Sequence, residues 1–82
     1  MTEKYNGWKN RATWNVALWI NNDEGLYRVA VEFMQRYKGK HPYVAFVKEM
    51  FMPDERTPDN FKWHGKALCY KELNDMMRDL ID

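Results

Sequence analysis

One cysteine, Cys69, stands in 82 residues, so no internal disulfide can close. Together with His41 and His64 it lacks the spacing of a structural zinc site. Glycine is scarce and scattered, at Gly7, Gly25, Gly39 and Gly65, which leaves no phosphate-cradling glycine motif. No stretch approaches the roughly 18 apolar residues of a membrane span. The opening Met1-Thr2-Glu3-Lys4-Tyr5 has no hydrophobic run of a signal peptide. With an unpaired cysteine and no membrane segment, the expected compartment is the cytoplasm. An excess of one charge is missing too: 13 Lys/Arg face 12 Asp/Glu, net +1, against a uniformly basic nucleic-acid binder. The balance is uneven along the chain. Residues 1–40 hold seven basic and four acidic side chains (+3), and residues 41–82 hold six and eight (−2). That polarity is compatible with head-to-tail association or an anionic ligand near the N-terminal half, but also with two ordinarily solvated surfaces.

What is present is aromatic and amide-rich. A chain of this length forms one domain, 1–82, and buries roughly 60–65% of its unfolded surface, so it needs unusually good packing or a partner. Aromatics make up 16% of the chain, with six methionines; dense aromatic packing or a homo-oligomer would answer that need. Three of the four tryptophans and five of the seven asparagines lie between Asn6 and Asp23.

The pattern predicts a compact all-α domain of four short helices. Residues 1–7 read as an extended or frayed arm ending in the Asn6-Gly7 turn signal. Asn10 or Thr13 caps a first helix running to about Asn21, apolar almost all round, with Asn15 requiring hydrogen bonds wherever it is buried. Asn21-Asn22-Asp23 ends it and caps the next. Leu26, Val29, Ala30, Phe33, Met34 and Tyr37 then recur at helical spacing, with Glu24–Arg28 and Glu32–Arg36 as i, i+4 pairs and Gly39 as C-cap. Pro42 opens a third helix to about Phe51, with Tyr43, Val47 and Met50 on one face. Residues 52–65 form a long charged loop, with a short extended segment at Phe61-Lys62-Trp63. A last helix spans about Lys66 to Leu80, with Cys69, Leu73, Met76, Met77 and Leu80 inward and Glu72, Asp75 and Asp79 outward. Of the pairs Met50/Met52 and Met76/Met77, one member each should fill the core and the other stay partly exposed.

Each candidate site has a plainer reading beside it. Trp8 and Trp14 could sandwich a planar group while Asn10 and Asn15 read its edges and Lys9 and Arg11 hold a phosphate; equally, the tryptophans could be core and the asparagines caps. Trp19, between Leu18 and Ile20, reads as core. His64 and Cys69 lack the third group of a nucleophilic site, and Cys69 falls on an inner helical stripe, as a buried inert thiol would. Asp54, Glu55 and Asp59 crowd the long loop without the calcium-loop pattern and read as solvated. No catalytic constellation, metal site or cofactor is called for.

The string Gly7-Trp8-Lys9-Asn10-Arg11-Ala12-Thr13-Trp14-Asn15-Val16-Ala17-Leu18-Trp19-Ile20-Asn21-Asn22-Asp23-Glu24-Gly25-Leu26-Tyr27 resembles the opening of a family of small proteins from phages and mobile elements. Their shared pattern is W-x-N-x-x-T-W-N-V-x-L-W-x-x-N-D. Ala12 stands where that pattern more often has an acidic residue. The resemblance implies a phage-like origin and action inside a bacterial host, and it carries over no catalytic residue. The expectation is therefore a non-enzymatic binding module that modulates a host process, by host takeover or counter-defence, through a bacterial host protein. Trp8, Lys9, Asn10, Arg11, Trp14 and Asn15 are its candidate contact residues. The alternative is capture of a nucleotide or single-stranded nucleic acid by tryptophan stacking.

Overall fold

A computed structural model describes residues 5–81, so the first four residues of the expected arm lie outside the described part. The rest of that arm is a closed turn. Trp8 N donates to Tyr5 O at 2.8 Å and Tyr5 N to Trp8 O at 2.6 Å. Asn6 and Gly7 both have positive φ, 49° and 89°, as a type I′ turn demands and an Asn-Gly pair readily supplies.

Four helices follow, α1 Arg11–Asn22, α2 Glu24–Arg36, α3 Pro42–Met50 and α4 Tyr70–Asp79. The all-α class and the helix count are as the sequence predicts. Local chemistry sets most boundaries. The Asn10 side chain accepts from Thr13 N at 2.9 Å and starts α1; Asp23 ends α1 and accepts from Leu26 N at 3.0 Å to start α2; Pro42 occupies the first turn of α3, where its missing N–H is harmless. The extended segment expected at Phe61–Trp63 reduces to one isolated bridge between Arg56 and Lys62. Among the described residues, no helix is long and apolar enough to cross a membrane.

Several side chains sit elsewhere than their periodicity suggests. The C-cap of α2 is Tyr37, with extended backbone, and not Gly39. The Tyr37 ring stacks on Phe33 with centroids 5.1 Å apart and lies so close over Gly39 that a Cβ there would collide with it. Gly39 is needed for that approach, not for a left-handed cap. Arg36 reaches across to Glu49 on α3 in place of Glu32, whereas the Glu24–Arg28 pair forms at 3.7 Å. Helix α4 starts at Tyr70, four residues later than expected, which leaves Cys69 partly exposed at its N-cap and off the inner stripe.

The core gathers residues from all four helices and two, Trp63 and Leu68, from the stretch between α3 and α4. Tyr43, Phe46, Ile20, Leu73 and Met77 are fully enclosed; Phe46, which the sequence reading passed over, takes the place expected of Met50. Helix α4 touches each of the other three, so Met76 and Met77 are both buried. Met50 closes α3 and Met52 lies past its end, and both are exposed. The one-in, one-out expectation therefore fails for both methionine pairs. The tryptophan that the core encloses is Trp63, stacked on Phe51 at 4.3 Å with rings 4° from parallel. Trp19 is only half-buried.

Candidate functional site

Thr13 and Asn15 of the Trp8–Asp23 segment are buried, and with Asn10 they join elements. At the start of α1, Lys9 N donates to Glu72 Oε1 at 2.8 Å, Asn10 Nδ2 to Ala67 O at 2.6 Å, and Cys69 N to Thr13 Oγ1 at 2.9 Å. These three bonds clasp the N-terminus of α1 to that of α4. They also explain the late start of α4: the Ala67 carbonyl and the Cys69 N–H already have partners on α1.

One turn further along α1, a second clasp holds the long loop. Asn15 Nδ2 donates to Asp59 Oδ2 at 2.8 Å, and Asn15 Oδ1 accepts from Thr57 Oγ1 at 2.8 Å. Trp19 Nε1 donates to the same Asp59 oxygen at 3.0 Å. Thr57 is buried, and its hydroxyl oxygen accepts from Asp59 N and Phe61 N, both at 3.2 Å. Asp59 is thus a fixed hydrogen-bond acceptor and not simply a solvated loop carboxylate. The Asn15 amide lowers its pKa most, followed by the Trp19 indole N–H and the nearby Arg11 charge. Tyr43 closes the interior: its N–H donates to Asn74 Oδ1 at 3.0 Å and its hydroxyl to Trp63 O at 2.6 Å, and burial pushes the phenol far above its usual range. Among the described residues, no buried side-chain nitrogen or oxygen lacks a partner.

The six expected contact residues therefore divide. Asn15 is buried with both ends of its amide engaged, so it cannot read a ligand's edge, contrary to its expected role. Asn10 is half-buried and caps α1. Trp14 is half-buried with Tyr5 packed T-shaped against it at 4.9 Å. Lys9 is exposed, and so is Arg11, whose guanidinium lies 5.7 Å from the centre of the Phe61 ring. Of the six, Trp8 lines a groove.

That groove, of about 500 Å³, runs between the N-terminal turn, the α1–α2 corner and α4. Trp8 and Tyr27 supply aromatic walls, and Met76 of α4, Leu80 at its C-cap and Asn21 of α1 also line it. The other wall carries Glu72, Asp75 and Asp79, which the i, i+3, i+7 spacing places along one stripe of α4. Asn21 is held against its floor, its Nδ2 donating to Ala17 O at 2.9 Å and lying 3.2 Å from Met76 Sδ. Helical spacing in the sequence puts the three acids outward, but the groove is not legible there, because Trp8, Tyr27 and Asp79 lie far apart along the chain. Such a mixture of aromatic and thioether surface with a few charges is what a binding cleft requires. Among the described residues its lining holds no Ser, Thr, Cys, His or Lys side chain, and the candidate pair His64 and Cys69 lies outside it. The His64 ring packs near Tyr70, 5.7 Å between centroids. Among the described residues, no group of three His, Cys, Asp or Glu side chains is placed to hold a metal ion.

A family model described as a family of unknown function (DUF7249) matches residues 1–82. No curated protein and no solved structure matches the chain.

Proposed function

The chain belongs to the DUF7249 family, and we propose that it is a non-enzymatic interaction module acting in the cytoplasm of a bacterial host. It is of phage-like origin, binds a host protein, and modulates or inhibits the process that protein serves. The observation that carries this reading is the open groove of about 500 Å³ at Trp8, beside a motif whose remaining amides hold the fold together. The likeness of the Trp8–Asp23 segment to small phage proteins supports the host setting.

Capture of a nucleotide is the weaker reading. Trp8 shares its groove with three carboxylates, which repel phosphate, and Trp14 already packs against Tyr5. Occupation of a partner needs only shape, apolar area and complementary charge.

The test is affinity capture from a bacterial lysate with the wild-type chain and with Tyr27→Ala, followed by titration of the purified captured protein. Tyr27 is 41% exposed on α2, and alanine is a strong helix former, so the fold is expected to survive. Tyrosine at the centre of an interface commonly contributes 1–2 kcal/mol or more, and about tenfold weaker binding is expected. Unchanged affinity in Tyr27→Ala would remove the groove from the interaction.

A further inference from the structure

The lining of the groove is chemically one-sided. Among the described residues, three carboxylates line it and no Lys or Arg does. Asp75 is partly neutralised by Lys71 at 3.2 Å and Arg78 at 3.1 Å. Among the described residues, Glu72 accepts an uncharged backbone N–H, that of Lys9, and has no ion pair. Asp79 has no ion pair among the described residues. It is also the last residue of α4, where the helix carries its negative pole and a carboxylate is disfavoured. The fold therefore keeps negative charge at a position where its own helix gains nothing from it. A cation arriving from outside would relieve both the carboxylate repulsion and the dipole.

The rest of the groove says what kind of cation. A volume of about 500 Å³ far exceeds what a single ion fills, and the thioether and leucine beside the aromatic walls favour a ligand with an apolar stem. Arginine and lysine side chains combine such a stem with a charged head, and a guanidinium also stacks on tryptophan and tyrosine faces. We infer that the groove receives a basic segment of the partner protein, seating an arginine or lysine stem along Trp8, Tyr27 and Leu80 with its cation toward Glu72, Asp75 and Asp79. This rests on the binding reading above and names the chemistry of the surface that binds.

The test uses a fluorescein-labelled peptide of alternating arginine and leucine, and the same peptide with glutamate for arginine, each titrated with the full chain by fluorescence anisotropy. The arginine peptide should bind saturably and weaken with added salt, and the glutamate peptide should not bind. Asp79→Lys should weaken binding about tenfold; it puts a base at the C-terminus of α4, so the helix is not endangered. Asp54→Lys makes the same change in net charge on an exposed loop outside the groove and should leave affinity within about twofold. Equal weakening by the two variants, equal binding of the two peptides, or no binding of the arginine peptide would overturn the inference. The two failures separate cleanly. A captured host protein that is sensitive to Tyr27→Ala but indifferent to Asp79→Lys leaves the binding reading standing and removes the basic segment. One indifferent to Tyr27→Ala removes the reading itself.

Discussion

Asp59 shows how much one exposed side chain can hold when two donors of α1 point at it. Its carboxylate accepts from Asn15 Nδ2 and Trp19 Nε1, and these bonds favour the ionised form, so its folded pKa lies below its unfolded one. Between the two values the unfolded chain binds more protons than the folded chain, and stability rises with pH. The contribution is complete above the unfolded carboxylate value, about 3.9, and is lost as pH falls through the lower folded value. Asp59→Asn keeps an acceptor oxygen but cannot ionise. Denaturant midpoints measured from neutral to acid pH should therefore fall less steeply in Asp59→Asn than in the wild type, and identical acid limbs would contradict the assignment. Asp59→Ala is harsher at every pH, because it strips the carboxylate partner from the Asn15 amide. The requirement that a buried Asn15 be hydrogen-bonded was legible from its apolar helical neighbours. Its partners, 42 and 44 residues away, were not, since no local pattern reports a contact at that separation.

Among the elements, α1 and α4 are joined by hydrogen bonds, one of them to the Glu72 carboxylate, while the ion pairs lie on the solvated outside. Thr13 is fully buried, donates to Asn10 Oδ1 at 2.7 Å and accepts from Cys69 N. Thr13→Val keeps the volume but leaves the Cys69 N–H without its acceptor, and should destabilise the fold by about 1–3 kcal/mol in urea denaturation. Arg36→Ala breaks the exposed pair with Glu49 and should shift stability by only about 0.5 kcal/mol. The reverse ranking would mean that the ion pair, not the clasp, ties the helices. The same contrast accounts for what the sequence disclosed about the elements. Caps at Asn10, Asp23 and Pro42 act within one helical turn, so their residue types announce them. The start of α4, the role of Gly39 and the exposure of Met50 depend on which distant group arrives first: the Asn10 and Thr13 side chains, the Tyr37 ring, the filling of the core by Phe46. The groove belongs to this second class, assembled from a turn, two helix faces and an acidic stripe that only folding brings together.

At the scale of the whole molecule, the long loop is part of the core and not an appendage to it. Its backbone folds on itself, with Thr57 N donating to Phe61 O at 2.7 Å and Trp63 N to Glu55 O at 3.2 Å. Its Trp63 side chain is enclosed and stacked on Phe51. Opening the loop alone would release Trp63 to water. An indole of this kind buries about 150–250 Å², worth about 4–6 kcal/mol at 25 cal/mol per Å². The Asn15–Thr57 bond would be lost as well, adding about 1 kcal/mol. A domain of this length has a total stability of only about 4–12 kcal/mol, so local opening is nearly as unfavourable as unfolding everything. Loop and helices should therefore unfold as one cooperative unit. Under native-state hydrogen exchange, the Thr57 and Trp63 amides should be protected to within about tenfold of the Ile20 amide in α1, and the protection of all three should fall together as urea is raised. Early exchange at Thr57 and Trp63, with Ile20 still protected, would instead make the loop a separately opening segment. In that case the second clasp, and with it the fixed place of Asp59 beside α1, would be a minor contribution to the fold.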